Sequence, residues 1–114
     1  MPSVDNTLPL SVRVCHRTFK LSYDKKDRMQ DNGEEAKGLS SWDDGWIAVD
    51  PNLPSEVLAE IVLHETMHQH WEFMGLGKSA NEERAVTAMA RAMCAIMKQN
   101  PELMEWLKRN LDGQ

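Results

Sequence analysis

The segment Ile61-Val62-Leu63-His64-Glu65-Thr66-Met67-His68-Gln69-His70-Trp71 carries two histidines four residues apart, with a glutamate directly after the first. This is an HExxH pattern. Four residues turn an α-helix through about 400° and advance it about 6 Å, so His64 and His68 share one face. Both imidazoles can then reach a single cation, and ring nitrogens bind zinc at about 2.0–2.1 Å. Glu65 is rotated about 100° from His64, which sets it beside the metal rather than on it. From there it can serve as general base toward a zinc-bound water. The expected chemistry is hydrolysis, with one Zn2+ per chain, His64 and His68 as ligands and Glu65 as the catalytic residue.

A catalytic zinc usually keeps three protein ligands and one open position. No histidine follows His70. An HExxHxxGxxH site needs Gly at 71 and His at 74, where this chain has Trp71 and Met74. His70 faces away from His64 on the helix. The third ligand is therefore expected to be a carboxylate, and Glu82 and Glu83 are the candidates. Glu82 lies nearer the centre of the apolar stripe Val86, Met89, Ala90, Met93 and Met97, but it can also close a capping box with Ser79. Glu83 has Thr87 one turn later, a hydroxyl able to support the liganding carboxylate. Glu83 is preferred and Glu82 is the alternative. Glu72 is weaker, because one helix would then supply all three ligands.

The elements that must position these groups are readable in outline. Residues 10–23 are rich in β-branched and aromatic side chains and read as strand. Residues 24–38 are charged, carry Asn32-Gly33 and read as a turn or loop. Residues 39–50 read as a hairpin turning at Asp44-Gly45 between Trp42 and Trp46. Ser55 can cap a helix running to about Met74 and ended by Gly75 and Gly77. A second helix is expected from Ser79 to about Asn100, and a third from Pro101 to near Leu111. Strands followed by helices give an α+β fold: a small antiparallel sheet of about three strands packed on the HExxH helix, followed by two further helices. The strand Trp46, Ile47, Ala48, Val49 is expected to lie along a substrate cleft as an edge open to an extended peptide. Met89, Met93 and Met97 are expected in the core.

The 114 residues suit one domain over 1–114, with residues 1–9 as a loose entry carrying two prolines. A net charge of -5 argues against a broad grip on nucleic acid or on an anionic membrane. Lys20, Lys25, Lys26 and Arg28 read as a solvated basic face. Cys15 and Cys94 form neither a CxxC pattern nor a disulfide framework, which suits a reducing compartment. The start shows no secretory signal, and no apolar run matches a membrane span, so a cytoplasmic location is expected. So small a core would gain from a homo-oligomer or another protein partner.

His64-Glu65-Thr66-Met67-His68 followed by Glu83 on the next helix resembles a glutamate-zincin arrangement. Over about residues 40–100, the strand Ile47–Val49, a proline-containing turn, LHETMH and then EERAVTAMARAM resemble the minimal metallopeptidases of phages and prophages. They are also similar to the ImmA/IrrE and SprT-like groups. The resemblance implies a minimal zincin-like fold, a peptide or protein substrate, His64 and His68 on zinc and Glu65 as general base. It also implies a third-ligand glutamate followed at +3 by a small or apolar residue, at +6 by a large apolar one and at +7 by Ala or Gly. From Glu83 these are Val86, Met89 and Ala90, and from Glu82 they are Ala85, Ala88 and Met89, a poorer match. Unlike larger relatives, the chain has no Tyr or His after Glu83 to stabilise an oxyanion. His16, Tyr23, Arg84 and Arg91 are what could substitute. One rival reading is a catalytically weak or inactive zinc-binding phage regulatory or interaction protein. A di-iron carboxylate protein would need a second ExxH, which the chain lacks.

Overall fold

The computed structural model describes residues 9–29 and 35–113. The expected loose entry lies outside these residues apart from Pro9, as does the Asn32-Gly33 turn. Strands β1 (Ser11–Val14), β2 (Arg17–Ser22), β3 (Gly38–Ser41) and β4 (Trp46–Val49) are followed by helices α1 (Ser55–Phe73), α2 (Glu82–Gln99) and α3 (Pro101–Leu111). A short 3₁₀ turn, Lys25–Arg28, follows β2. The fold is α+β.

The sheet departs from expectation in two ways. It has four strands in the order β1-β2-β4-β3, and it is mixed, because β2 runs parallel to β4. The extra strand arises where the 10–23 segment folds on itself. Cys15 takes a left-handed backbone conformation at φ 57°, and the chain returns with Val14 opposite Arg17. A short polar step of this kind lets two strands form where one was expected. The β3–β4 hairpin turns through Gly45 at φ 71°, a region glycine enters without steric cost.

The expectation that Trp46, Ile47, Ala48 and Val49 form the cleft edge is overturned. β4 lies between β2 and β3, with Ile47, Ala48 and Val49 fully buried. The physical reason is in the residues themselves. Three consecutive apolar side chains leave no polar face to turn outward, which suits a strand covered on both sides. The edge strands are β1 and β3, and it is β3 that lies unpaired on its outer side among the described residues beside α1; its register with β4 runs from Gly38↔Val49 to Ser41↔Trp46.

The core gathers Val14, Phe19, Leu21, Ile47, Val49 and Leu58, with Trp42, Ile61, Val62 and Phe73 packed against it. Trp42 lies near both Phe19 and Phe73, with ring centroids at 5.6 and 6.3 Å, so this tryptophan is largely structural. Arg28 does not belong to a solvated basic face. It is buried and paired with Glu35 and with Asp50.

Helix α1 ends through Gly75 and Gly77, both at positive φ, and Trp71 Nε1 donates to Gly77 O at 2.7 Å. This connection sends α2 back antiparallel along α1. Arg91 Nε meets Glu60 at 3.1 Å and Lys98 Nζ meets Glu56 at 2.9 Å, successive pairs in an antiparallel register. α2 begins at Glu82 rather than Ser79, and the capping box does not form; Ser79 Oγ accepts from Asn81 N instead. The methionine stripe is also not core, with Met93 only half-buried. Val86 and Ala90 are buried, whereas Met89 and Met97 are exposed.

β3 approaches α1 unusually closely. A Cβ at Gly38 would stand 2.5 Å from Ile61 Cγ2 and 3.2 Å from Glu65 Cγ. Both neighbours sit near their own backbone and cannot swing away. Gly38→Ala is therefore expected to destabilise the fold by about 1–3 kcal/mol, the usual cost of forcing extra volume into a packed contact. Urea denaturation of the variant against the parent measures this.

Candidate metal centre

On α1, His64 and His68 turn toward α2, and Glu65 turns toward β3. The divergence follows from the helix repeat, since Glu65 lies about a quarter-turn from His64. α2 begins opposite the two histidines, so its first turn brings Glu82 and Glu83 onto them.

Three atoms converge. Glu83 Oε1 lies 2.7 Å from His64 Nε2 and 2.8 Å from His68 Nε2. The two Nε2 atoms are 3.1 Å apart. His64, His68 and Glu83 thus offer two imidazole nitrogens and one carboxylate oxygen at a common focus, a donor set that suits a divalent ion such as zinc. Glu82 does something different. Its Oε2 lies 2.6 Å from His68 Nδ1, on the far side of the ring. An ionised carboxylate only accepts, so Nδ1 must carry the proton. Loss of the Nε2 proton to an incoming metal would then leave a neutral His68 with its Nε2 lone pair on the focus, the tautomer a metal requires. The residues present therefore fit a metal ion, with Glu83 among the ligand atoms and Glu82 orienting one ligand from behind.

Glu65 is buried, and its Oε1 accepts from Ser40 Oγ at 2.7 Å. Ser40 Oγ in turn accepts from Gln69 Nε2 at 2.7 Å. Because Ser40 Oγ accepts the Gln69 N–H, its own hydroxyl hydrogen points to Glu65. Burial raises the Glu65 pKa above the ordinary carboxylate value, and the Ser40 bond and the nearby histidines only partly offset this. Burial opposes the charged form of His68, but the bonds to Glu82 and Glu83 together outweigh it and raise the pKa. For Glu83, burial pushes upward, and the His68 and His64 bonds more than compensate, so its pKa is lowered.

The focus opens into a cleft of about 680 Å³. Its walls include Lys37, Gly38, Leu39 and Ser40 from the β3 side and Glu72 and Gln69 from α1. Trp46, Ile47, Ala48 and Val49 do not line it, because β3 stands between them and the histidines. Thr87 is half-buried one turn beyond Glu83 and is not part of the wall. His16, Tyr23, Arg84 and Arg91 are not part of it either. His16 packs on Phe73, Tyr23 donates to Pro9 O, and Arg91 is held by Glu60. Sequence reasoning missed Ser40, Gln69 and the orienting role of Glu82. Gln69 was reachable, since it stands four residues after Glu65 on the same helical face.

No family model, curated protein or solved structure matches the chain.

The arrangement has a direct consequence for metal affinity. Zinc titrated into the parent chain should raise its melting temperature by preferential binding to the folded state. Glu83→Ala should remove most of that rise. Glu82→Ala should keep a stoichiometry of one but weaken affinity about 10–100-fold, the usual effect of losing a carboxylate behind a liganding histidine. Competition with a chromophoric chelator reads both.

Proposed function

We propose that this chain is a zinc-dependent metallopeptidase in which His64, His68 and Glu83 hold the ion and Glu65 is the general base. The observation that carries the reading is the meeting of His64 Nε2, His68 Nε2 and Glu83 Oε1 within 2.7–3.1 Å, beside a buried carboxylate held by Ser40. When bound, zinc would acidify a water toward neutral pH and polarise a carbonyl. Glu65 would take the proton from the attacking water and return it to the leaving amine. Ser40 and Gln69 hold the carboxylate in one orientation. The outer edge of β3, from Gly38 to Ser41, is unpaired among the described residues and can pair with an extended peptide, laying its backbone along the cleft. The zincin-like fold and the likeness to phage and prophage metallopeptidases belong to this same reading.

One observation favours a second reading. None of the four side chains expected from the sequence to stabilise an oxyanion, His16, Tyr23, Arg84 and Arg91, lines the cleft. A zinc-binding regulatory or interaction protein with weak or no hydrolysis would need no such group.

Glu65→Gln separates the two. In the hydrolase reading, cleavage of a peptide library falls by about 10²–10⁴-fold, the range that a general base contributes, while zinc stays at one per chain. His64→Ala should lose both metal and activity. A parent chain that binds zinc and cleaves nothing across the library supports the regulatory reading, and full activity in Glu65→Gln removes that carboxylate from the mechanism.

A further inference from the structure

Helix α3 is 11 residues long and has no buried residue. A helix of that length is marginal in water without packing. Yet Leu103, Trp106 and Leu111 are exposed, Trp106 by 52%. Ile96 and Met97 in the last turn of α2 are exposed as well and extend the apolar region to the α2–α3 junction. The Cα radius of gyration is 15.0 Å. A compact chain of this length is expected near 13 Å. The excess agrees with a terminal helix that projects from the body.

The charges on α3 say what covers it. Leu103, Trp106 and Asn110 share one face, and Glu102 and Arg109 stand two turns apart along a single edge of that face. A two-fold axis crossing midway between them would run a second α3 antiparallel to the first. Glu102 would then meet the partner's Arg109, and Arg109 the partner's Glu102. Self-complementarity of this kind is what an isologous interface requires. A parallel two-fold arrangement would instead put the two Glu102–Arg109 edges on opposite sides of the contact, where they pair with nothing on the partner's matching edge. In the single chain Arg109 Nη1 bonds Glu105 at 3.1 Å, an exposed pair one turn apart that is easily exchanged.

We propose that α3 docks on α3 of a second copy of this chain, antiparallel about a two-fold axis. Leu103 and Trp106 lie within the contact, and reciprocal Glu102–Arg109 pairs run along its edge. A single helix pair with the adjoining α2 residues is at the small end of specific interfaces, so the dimer is reversible and concentration-dependent.

Sedimentation equilibrium of the full chain over a concentration series tests this. The parent mass should rise from one copy to two. Glu102→Arg and Arg109→Glu should each weaken the dimer by about tenfold or more, because each sets like charges together twice per interface. An equal mixture of the two variants should recover the dimer, since every introduced charge then faces its opposite. Trp106→Ala should weaken association independently of charge. Circular dichroism of each variant and of the mixture checks that α3 stays helical, because Glu102→Arg removes an acid from its first turn and Arg109→Glu sets two acids one turn apart. A parent that stays monomeric at its highest soluble concentration overturns the proposal. So does a dimer indifferent to both reversals, or a mixture no better associated than its parts.

Discussion

The close approach of β3 to α1 governs what the rest of this molecule can do. Glycine at position 38 lets the strand come within contact of Ile61 and Glu65, and two residues later Ser40 reaches the Glu65 carboxylate. Without that contact Glu65 would be a buried charge lacking a donor, an arrangement that costs several kcal/mol or forces the group to stay protonated. The strand therefore does two things at once. It covers the carboxylate enough to raise its pKa, and it supplies the hydrogen bond that keeps the ionised form accessible. α1 consequently has two working faces, one against β3 that holds Glu65 and one against α2 that holds His64 and His68. The cleft lies where those faces meet.

Polar groups have a cost in so small a body. The face of α1 that packs on the sheet begins with Leu58, Ile61 and Val62 and then turns to Glu65 and Gln69. Half of a helix face that could have buried aliphatic side chains carries a hydrogen-bonded chain instead. Within it, Gln69 Oε1 has no partner among the described residues. A net hydrogen bond contributes about 1 kcal/mol, and a buried polar atom left unpaired costs about as much or more. Stability has to come from the far end of the sheet, where Val14, Phe19, Ile47 and Val49 are fully buried. The division between a dry end and a polar end follows the strands: β2 and β4 carry the apolar core, while β3, with its glycine and two serines, faces the cleft.

What the sequence made legible was local. The three helices, and the histidine pair on one face of the first, depend on spacings of three and four residues that any helix enforces. The pairing of Glu83 with the histidines needed only a short glycine-containing return between two helices. Strand order was harder, because the parallel neighbours β2 and β4 are separated by the whole 23–45 segment, and no local pattern encodes that contact. The buried run Ile47-Ala48-Val49 did carry a signal, since absent alternation marks a central strand. Ser40 had none. One serine of two in a four-residue strand gains its role only from a helix 25 positions later. The methionine stripe misled for the opposite reason: helical periodicity reports an apolar face, not what covers it.

The same limit explains why α2 ends so differently from how it starts. Its first turn is drawn against α1 by Glu82 and Glu83, while Met97 and Ile96 in its last turn stay exposed and lead into an uncovered α3. α2 has 18 residues. At helical rise that separates the two ends by about 27 Å. A contact made at α3 is therefore separated from the histidines by the length of α2. Association could supply the apolar burial that the polar face of α1 gives up, at the opposite end of α2 from the site that the polar face serves.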